Sequence, residues 1–179
     1  MSHAQSIEHP FRHRLLCARP VPISARTRHL DWFATLAEHS ASELKTPRQA
    51  QAFDWFRQEL DNLRSALDWA IQSGNASSGL RIAAAMRRVW FHGHQREGQA
   101  TLRALLELPG ASAQPAVRAA ALTVLGQLTR ERGDLRQART YGEQAVELGP
   151  PKAATVWAQG QAMTTQEAVA FALSAGGDV

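Results

Sequence analysis

The sequence predicts an all-α protein whose helices form antiparallel pairs that stack as a short solenoid. Composition is the first reason: Ala, Leu, Arg, Gln and Glu dominate, whereas Ile, Val and Tyr are sparse, which favours helix over sheet. The second reason is that apolar residues recur at steps of three and four, the spacing of one helix face. The third is the lack of any useful alternating strand pattern.

Length, composition and charge limit the possible functions but do not identify one. The chain has 179 residues, of which 44% are hydrophobic and 20% charged, so it can bury a real core. Its net charge is +4, and its basic residues are dispersed, which permits an acidic partner or nucleic acid without requiring either. A lone cysteine, Cys17, excludes an internal disulfide framework and fits a reducing cytoplasm. No apolar run is long enough to span a bilayer, so no membrane partner is expected.

Residues 1–24 are predicted to form an irregular N-terminal arm. Pro10, Pro20 and Pro22 interrupt regular structure there, and the apolar stretch of residues 15–18 is too short for a signal peptide. Residues 25–175 are predicted to form the helical array, and residues 176–179 a tail.

The first two predicted helices run from Ala25 to near Leu44, and from Thr46-Pro47 to about Ala70. Proline is tolerated in the first turn of a helix, which supports the second start. The second helix is the most periodic stretch of the chain, and residues 73–79 after it form a loop. The residues expected on one face of the second helix are Phe53, Phe56, Leu60, Leu63, Leu67 and Ala70.

A third helix ends near His92-Gly93 and is apolar over so much of its circumference that it is predicted to be buried. The fourth spans about 95–108 and the fifth about 115–132. The sixth begins at Asp134, a good N-cap, and ends at residues 149–151. A last helix follows Thr164, because residues 164–167 form a capping box.

The fifth and sixth helices are expected to hide one apolar face on each other. Gly126 and Ala138 are small, so the two backbones can approach closely at these positions. A single hairpin leaves apolar surface uncovered, which is the physical reason that such units stack as solenoids. The expected facing residues are Leu122, Leu125 and Leu128 in the fifth helix and Leu135, Ala138, Tyr141, Ala145 and Leu148 in the sixth.

The stretch "ALTVLGQLTRERGDLRQARTYGEQAVELGP", residues 121–150, resembles a tetratricopeptide repeat, with the full repeat at 119–152. The resemblance implies a right-handed solenoid and extends, in degenerate form, to residues 79–112, where Gly98 replaces the usual alanine. Leu122, Thr129 and Gly142 depart from the pattern. The matching structural positions are Leu125, Gly126, Gly133, Ala138, Ala145 and Pro150.

Longer blocks resemble the helical sensor region of large bacterial signal-transduction ATPases, which often end in a LuxR-type helix-turn-helix. The blocks are "QELDNLRSALDWAIQSG" (58–74), "VWFHGHQREGQATLRALLELPG" (89–110) and "WAQGQAMTTQEAVAFAL" (157–173). The phosphate loop GxxxxGK[ST] is missing, and nothing follows Val179 where a DNA-binding domain would start. We therefore expect a shortened remnant of the sensor arm or a piece of a larger regulator.

DNA reading, metal binding and catalysis are each less well supported by the sequence than plain structural roles for the same residues. Arg136 and Arg139 could begin a DNA-recognition helix, but the packing positions that follow favour the repeat interpretation. The two sets of His and Cys lack enough ligands for a metal site, or are interrupted by Pro10. Glu59 and Asp61 point in different directions and no GxSxG motif occurs, so no enzyme is expected. The His and Cys sets are His92 with His94, and His9, His13 and Cys17.

The predicted function is a non-catalytic protein-protein interaction module in bacterial transcriptional or signalling control, with no metal or cofactor. The repeat register implies a concave face that binds a protein or peptide partner. Alternatives are a nucleic-acid-binding helical domain, a self-associating remnant, and a groove filled by the chain's own last helix. The residues predicted on the concave face are Arg87, Trp90 and Phe91 from one unit and Thr123, Gln127 and Arg130 from the next.

Overall fold

A computed structural model describes residues 22–149, and within them every regular element is an α-helix, which confirms the all-α prediction. The N-terminal arm up to residue 21, Pro150, the helix predicted after Thr164 and the tail at 176–179 lie outside the described residues. The helices are α1 (Ile23–Glu43), α2 (Gln49–Gln58), α3 (Leu60–Ser73), α4 (Ala76–Ala85), α5 (Arg87–Phe91), α6 (Gln95–Glu107), α7 (Pro115–Glu131) and α8 (Leu135–Leu148).

Helix α4 is the central element of the described fold. It packs against α1, α3, α6 and α7, and α7 in turn packs against α6 and α8. The sequence explains this position, because α4 carries apolar residues on several sides, including the buried Leu80, Ile82 and Ala83. The burial predicted for this segment is confirmed. The solenoid arrangement of the helix pairs stays a prediction.

The predicted second helix is two helices, α2 and α3, which meet at Glu59. The backbone of Glu59 (φ −91°, ψ 7°) leaves the α region there, which ends α2. Phe56 and Leu63 on either side are buried, so the apolar spacing continues across the break. No glycine or proline marks the site, and the start is displaced as well, because α2 begins at Gln49 instead of at Pro47.

The predicted third helix is also interrupted, at Met86 between α4 and α5. The side chain of Trp90 is fully buried beside this break. Its indole Nε1–H donates to the carbonyl of Ala83 at 2.8 Å, near the end of α4. Burying an unpaired indole N–H would be unfavourable, and this hydrogen bond satisfies it. The same bond fixes α5 against α4.

The ring of Trp90 also requires a glycine on α6. A Cβ built on Gly98 would lie 2.7 Å from both Cγ and Cδ2 of the indole, too close for any side chain. Gly98 stands where the repeat resemblance predicts an alanine. Its lack of a side chain therefore makes room for Trp90.

The α7–α8 hairpin begins its second helix at a cap that the sequence predicts. The side chain of Asp134 accepts a hydrogen bond from the amide of Gln137 at 3.0 Å, and Gly133 before it has φ +88°. A Cβ on Gly126 would lie 3.2 Å from the carbonyl oxygen of Ala138, so the two helices approach closely here.

The apolar face predicted for α8 is wrong at Leu135, whose side chain is 67% exposed. Leu135 is the first residue of the helix, directly after the Asp134 cap. Of the predicted repeat positions, Leu125 and Ala145 are buried and Ala138 is half-buried. The helical segment also begins at Ile23, two residues before the predicted start.

We predict that Gly98→Ala destabilises the fold, although alanine is the better helix former by about 1 kcal/mol. The new methyl group overlaps the buried Trp90 ring, and overpacking of this kind costs about 1–3 kcal/mol. Urea unfolding compares the free energy of unfolding of Gly98→Ala with that of the wild type. The control is Ala100→Gly at an exposed site of the same helix, which measures the difference in helix propensity between alanine and glycine without any change in core packing. A Gly98→Ala protein as stable as the wild type would contradict the assigned packing.

Candidate protein-interaction surface

Five of the six residues predicted to bind a partner have side chains that reach the surface of helices α5 and α7. We call this group the α5–α7 surface. Thr123 and Arg130 are exposed, as is Arg87, whereas Phe91 and Gln127 are half-buried. The three α7 positions are four and three residues apart, so they share one face of the helix. The members are Arg87, Phe91, Thr123, Gln127 and Arg130.

The Arg87 side chain joins the two helices at this surface. Its Nε donates to Oε1 of Gln127 at 2.8 Å. Its guanidinium carbon lies 5.8 Å from the centroid of the Phe91 ring, within the range of a cation–π interaction. These two contacts hold an exposed cation in one place before any partner binds.

The charge of the surface is only partly neutralised. The guanidinium of Arg130 lies 3.6 Å from Glu131, but both side chains are largely exposed and such pairs contribute little. Within residues 22–149, Arg87 has no carboxylate within ion-pair distance. The surface therefore presents positive charge beside an aromatic ring.

The prediction that Trp90 belongs to this surface is wrong. Its side chain has no exposed area, and its one polar atom is already bonded to the Ala83 carbonyl. The physical reason is Gly98, whose lack of a side chain leaves space for the indole inside the protein. Trp90 therefore orients α5 and cannot contact a partner.

An ion-pair network between α3 and α6 was not found from the sequence. The guanidinium of Arg64 donates from Nε to Oε1 of Glu97 at 2.6 Å and from Nη2 to Oε2 at 2.7 Å. Its Nη1 also lies 3.2 Å from Asp61, which accounts for one of the carboxylates considered for catalysis. Arg64 and Glu97 are 33 positions apart, so no local spacing could have shown the pair.

The network sets the charge state of Glu97. Hydrogen bonds from Arg64 hold the pKa of the Glu97 carboxyl below its usual range, and the charges of Arg64 and His94 act in the same direction. The same pairing raises the pKa of Arg64, which therefore stays charged. Glu59, the other carboxylate considered, accepts a hydrogen bond from Asn62 at 2.7 Å and is solvent-accessible.

His92 and His94 lie at the end of α5 and next to a small groove. The groove has a volume of about 250 Å³. In the described part of the chain, no three His, Cys, Asp or Glu side chains come together as a metal site would need. His9, His13 and Cys17 lie outside the described residues. The groove is lined by Phe53, Arg57, Leu60, Val89, His92 and His94.

The two arginines considered for DNA reading lie on the exposed side of α8. Arg139 donates from Nε to Glu143 at 2.8 Å, so its charge is shared with a carboxylate one turn away. Arg136 is exposed and its backbone carbonyl accepts a hydrogen bond from the hydroxyl of Thr140.

No helix within residues 22–149 has the length and hydropathy required to cross a bilayer.

Sequence comparison relates the chain to transcriptional regulators. Over 84 residues it is 31% identical to proteins described as HTH-type transcriptional regulators from Mycobacterium bovis and Mycobacterium tuberculosis. The aligned segment is 45% of this chain and 9% of each relative, so the chain spans only a small part of their length. No protein-family model matches the chain. No solved structure matches it significantly.

We predict that Glu97→Gln lowers the free energy of unfolding near neutral pH by about 0.5–1 kcal/mol, the range of a well-made but partly exposed ion pair. The pKa of Glu97 is lowered in the folded state, so its stabilisation is complete above the unfolded value of about 4.3. It is lost as the pH falls through the lowered folded pKa, because both states are then protonated. Urea unfolding across this pH range measures the difference.

The matched control for this prediction is Glu107→Gln, at an exposed glutamate in the last turn of the same helix. Glu107 has no ion pair among the residues described, so its substitution is expected to leave the pH dependence nearly unchanged. A Glu97→Gln effect that is equal at pH 7 and at strongly acid pH would contradict the role given to the Arg64 pair.

Proposed function

We propose that the chain is a non-catalytic, tetratricopeptide-type protein-interaction module from the helical sensor region of a bacterial transcriptional regulator. The observation that carries the proposal is the preorganised arginine of the α5–α7 surface, held by Gln127 and stacked on Phe91. The similarity to regulators from two mycobacterial species supports the regulatory setting. A cytoplasmic location, and the link to LuxR-type ATPases, belong to the same proposal.

The chemistry of this surface suits recognition of a protein. Arginine and aromatic side chains are the residue types that most often dominate binding energy at interfaces. Because Arg87 is already positioned, little side-chain entropy remains to be lost when a partner binds. The positive charge of Arg87 and Arg130 favours a partner with an acidic or carbonyl-rich contact region.

Binding of nucleic acid is the second candidate function. It is favoured by the exposed Arg136 on α8, by the basic sequence with a pI near 10.2, and by the HTH-type description of the relatives. A phosphate-dominated interaction weakens steeply as salt increases. Fluorescence anisotropy with a labelled DNA duplex over a series of salt concentrations therefore separates this candidate from a protein-binding module.

We predict that Arg87→Glu combined with Arg130→Glu abolishes capture of the partner. The measurement is an affinity pull-down from nuclease-treated native lysate, with quantitative mass spectrometry of the retained proteins. Charge reversal replaces two attractive cations by two repulsive anions, and each lost pairing is expected to weaken binding by about tenfold or more. Circular dichroism confirms that the variant keeps its helices.

The control carries the same change of net charge on other helices. Arg28→Glu with Lys45→Glu alters two exposed cations on and just after α1, and is expected to retain the partner. Loss of the partner in both variants would show that binding depends on the net charge of the chain and not on the α5–α7 surface. Retention in the Arg87 and Arg130 variant would show that the surface has been assigned wrongly. Recovery of the untagged chain itself would favour self-association.

A further inference from the structure

The groove beside α5 has an apolar interior of a definite size. Phe53 from α2, Leu60 at the start of α3 and Val89 from α5 form its walls. Its volume of about 250 Å³ is below the range of about 300–1,000 Å³ of small-molecule sites. It therefore fits one large apolar side chain of a peptide better than a cofactor. We call it the α2–α5 groove.

The remaining lining residues are basic or capable of donating hydrogen bonds. They are Arg57, His92 and His94, and none of the six lining residues is acidic. Arg57 is 72% exposed and touches Asp54 only at 3.9 Å, so its charge is available to a ligand. The nearby Glu97 carboxylate is bound by Arg64 through two hydrogen bonds and also contacts Nδ1 of His94, so the charge that the rim offers to a ligand is that of Arg57.

The hydrogen bonds of the two histidines leave the same ring nitrogen free in each. Nδ1 of His92 lies 2.6 Å from the carbonyl oxygen of Arg88. A carbonyl can only accept, so this Nδ1 carries the proton. Nδ1 of His94 lies 3.2 Å from the carboxylate of Glu97 and 3.4 Å from Nη2 of Arg64, so this nitrogen is occupied within the ion-pair network. Nε2 is then the nitrogen that each ring can offer to a ligand.

The His92 ring is also held in place by packing. Its centroid lies 4.9 Å from that of Phe53, with the two rings tilted by 57°. Two imidazole nitrogens can suggest a metal ion, but the guanidinium of Arg57 in the same rim repels a cation and the lining contains no carboxylate ligand. A positive rim around an apolar interior is instead complementary to an apolar group beside a negative one.

We propose that the α2–α5 groove binds a segment of a partner protein in which a large apolar side chain stands next to aspartate or glutamate. The apolar side chain occupies the space between Phe53, Leu60 and Val89. The adjacent carboxylate pairs with the exposed guanidinium of Arg57 at the rim. The positive net charge of the whole chain favours the approach of such an acidic segment.

This groove is a different site from the α5–α7 surface. Arg87 and Phe91 are one turn apart on one side of α5, whereas Val89 and His92 point to the groove. The inference does not depend on the proposed function of the other surface. The Arg87 and Arg130 double variant is expected to bind the groove ligand normally, so failure of one assignment leaves the other intact.

The test uses a defined probe with the full chain. The probe is a short fluorescein-labelled peptide with one leucine-phenylalanine pair between aspartate and glutamate residues, and binding is followed by fluorescence anisotropy. Arg57→Glu is expected to weaken binding by at least about tenfold, or about 1.4 kcal/mol. The matched control Arg28→Glu makes the same charge change at an exposed site on α1 and is expected to weaken it far less.

Two companion measurements test the apolar part. A peptide in which serine replaces the leucine-phenylalanine pair is expected to lose binding, and the methyl NMR signals of Leu60 and Val89 are expected to shift only with the original probe. The proposal is overturned if the original peptide does not bind or the serine peptide binds equally well. It is also overturned if both arginine variants weaken binding equally, or if the shifted methyl groups lie elsewhere.

Discussion

The burial of Trp90 is the constraint on which the centre of this fold depends. The indole donates to the Ala83 carbonyl on α4 and lies against Gly98 on α6, so one side chain links α4, α5 and α6. Helix α4 then contacts α1, α3 and α7, which extends the link through the described fold. Both candidate binding sites follow from it, because the position of α5 brings Arg87 to Gln127 on one side and His92 to Phe53 on the other.

The fold class and several helix ends could be predicted from the sequence because local signals encode them. Pro115 occupies the first turn of α7, and Asp134 caps α8 with a side-chain hydrogen bond. The breaks at Glu59 and Met86 could not be predicted, since the apolar spacing continues through both and no glycine or proline occurs there. At Met86 the neighbouring Ala83 carbonyl is bonded to an indole, a tertiary contact that no local pattern encodes.

In the candidate sites, too, local spacing could be predicted from the sequence, whereas contacts between distant segments could not. Helical spacing predicted that Thr123, Gln127 and Arg130 share one face, but it could not distinguish the buried Trp90 from the exposed Arg87 on the same helix. That distinction is made by Gly98 on another helix. The α2–α5 groove was missed for a related reason. Its lining comes from three segments of the chain, and the sequence pattern of His92 and His94 alone is that of an ordinary turn.

The position of α8 has a consequence for how the protein opens. Of the helices described, α8 packs on α7, whereas α4 has neighbours on several sides. Its only buried residue is Ala145, so α8 itself contributes few side chains to the buried core. Amide protons of α8 should therefore exchange with deuterium through a local opening that leaves α3 to α7 closed. The α7 face beneath α8 would then be reached by other molecules at a lower free energy than global unfolding, through a transient state in which the hairpin has separated.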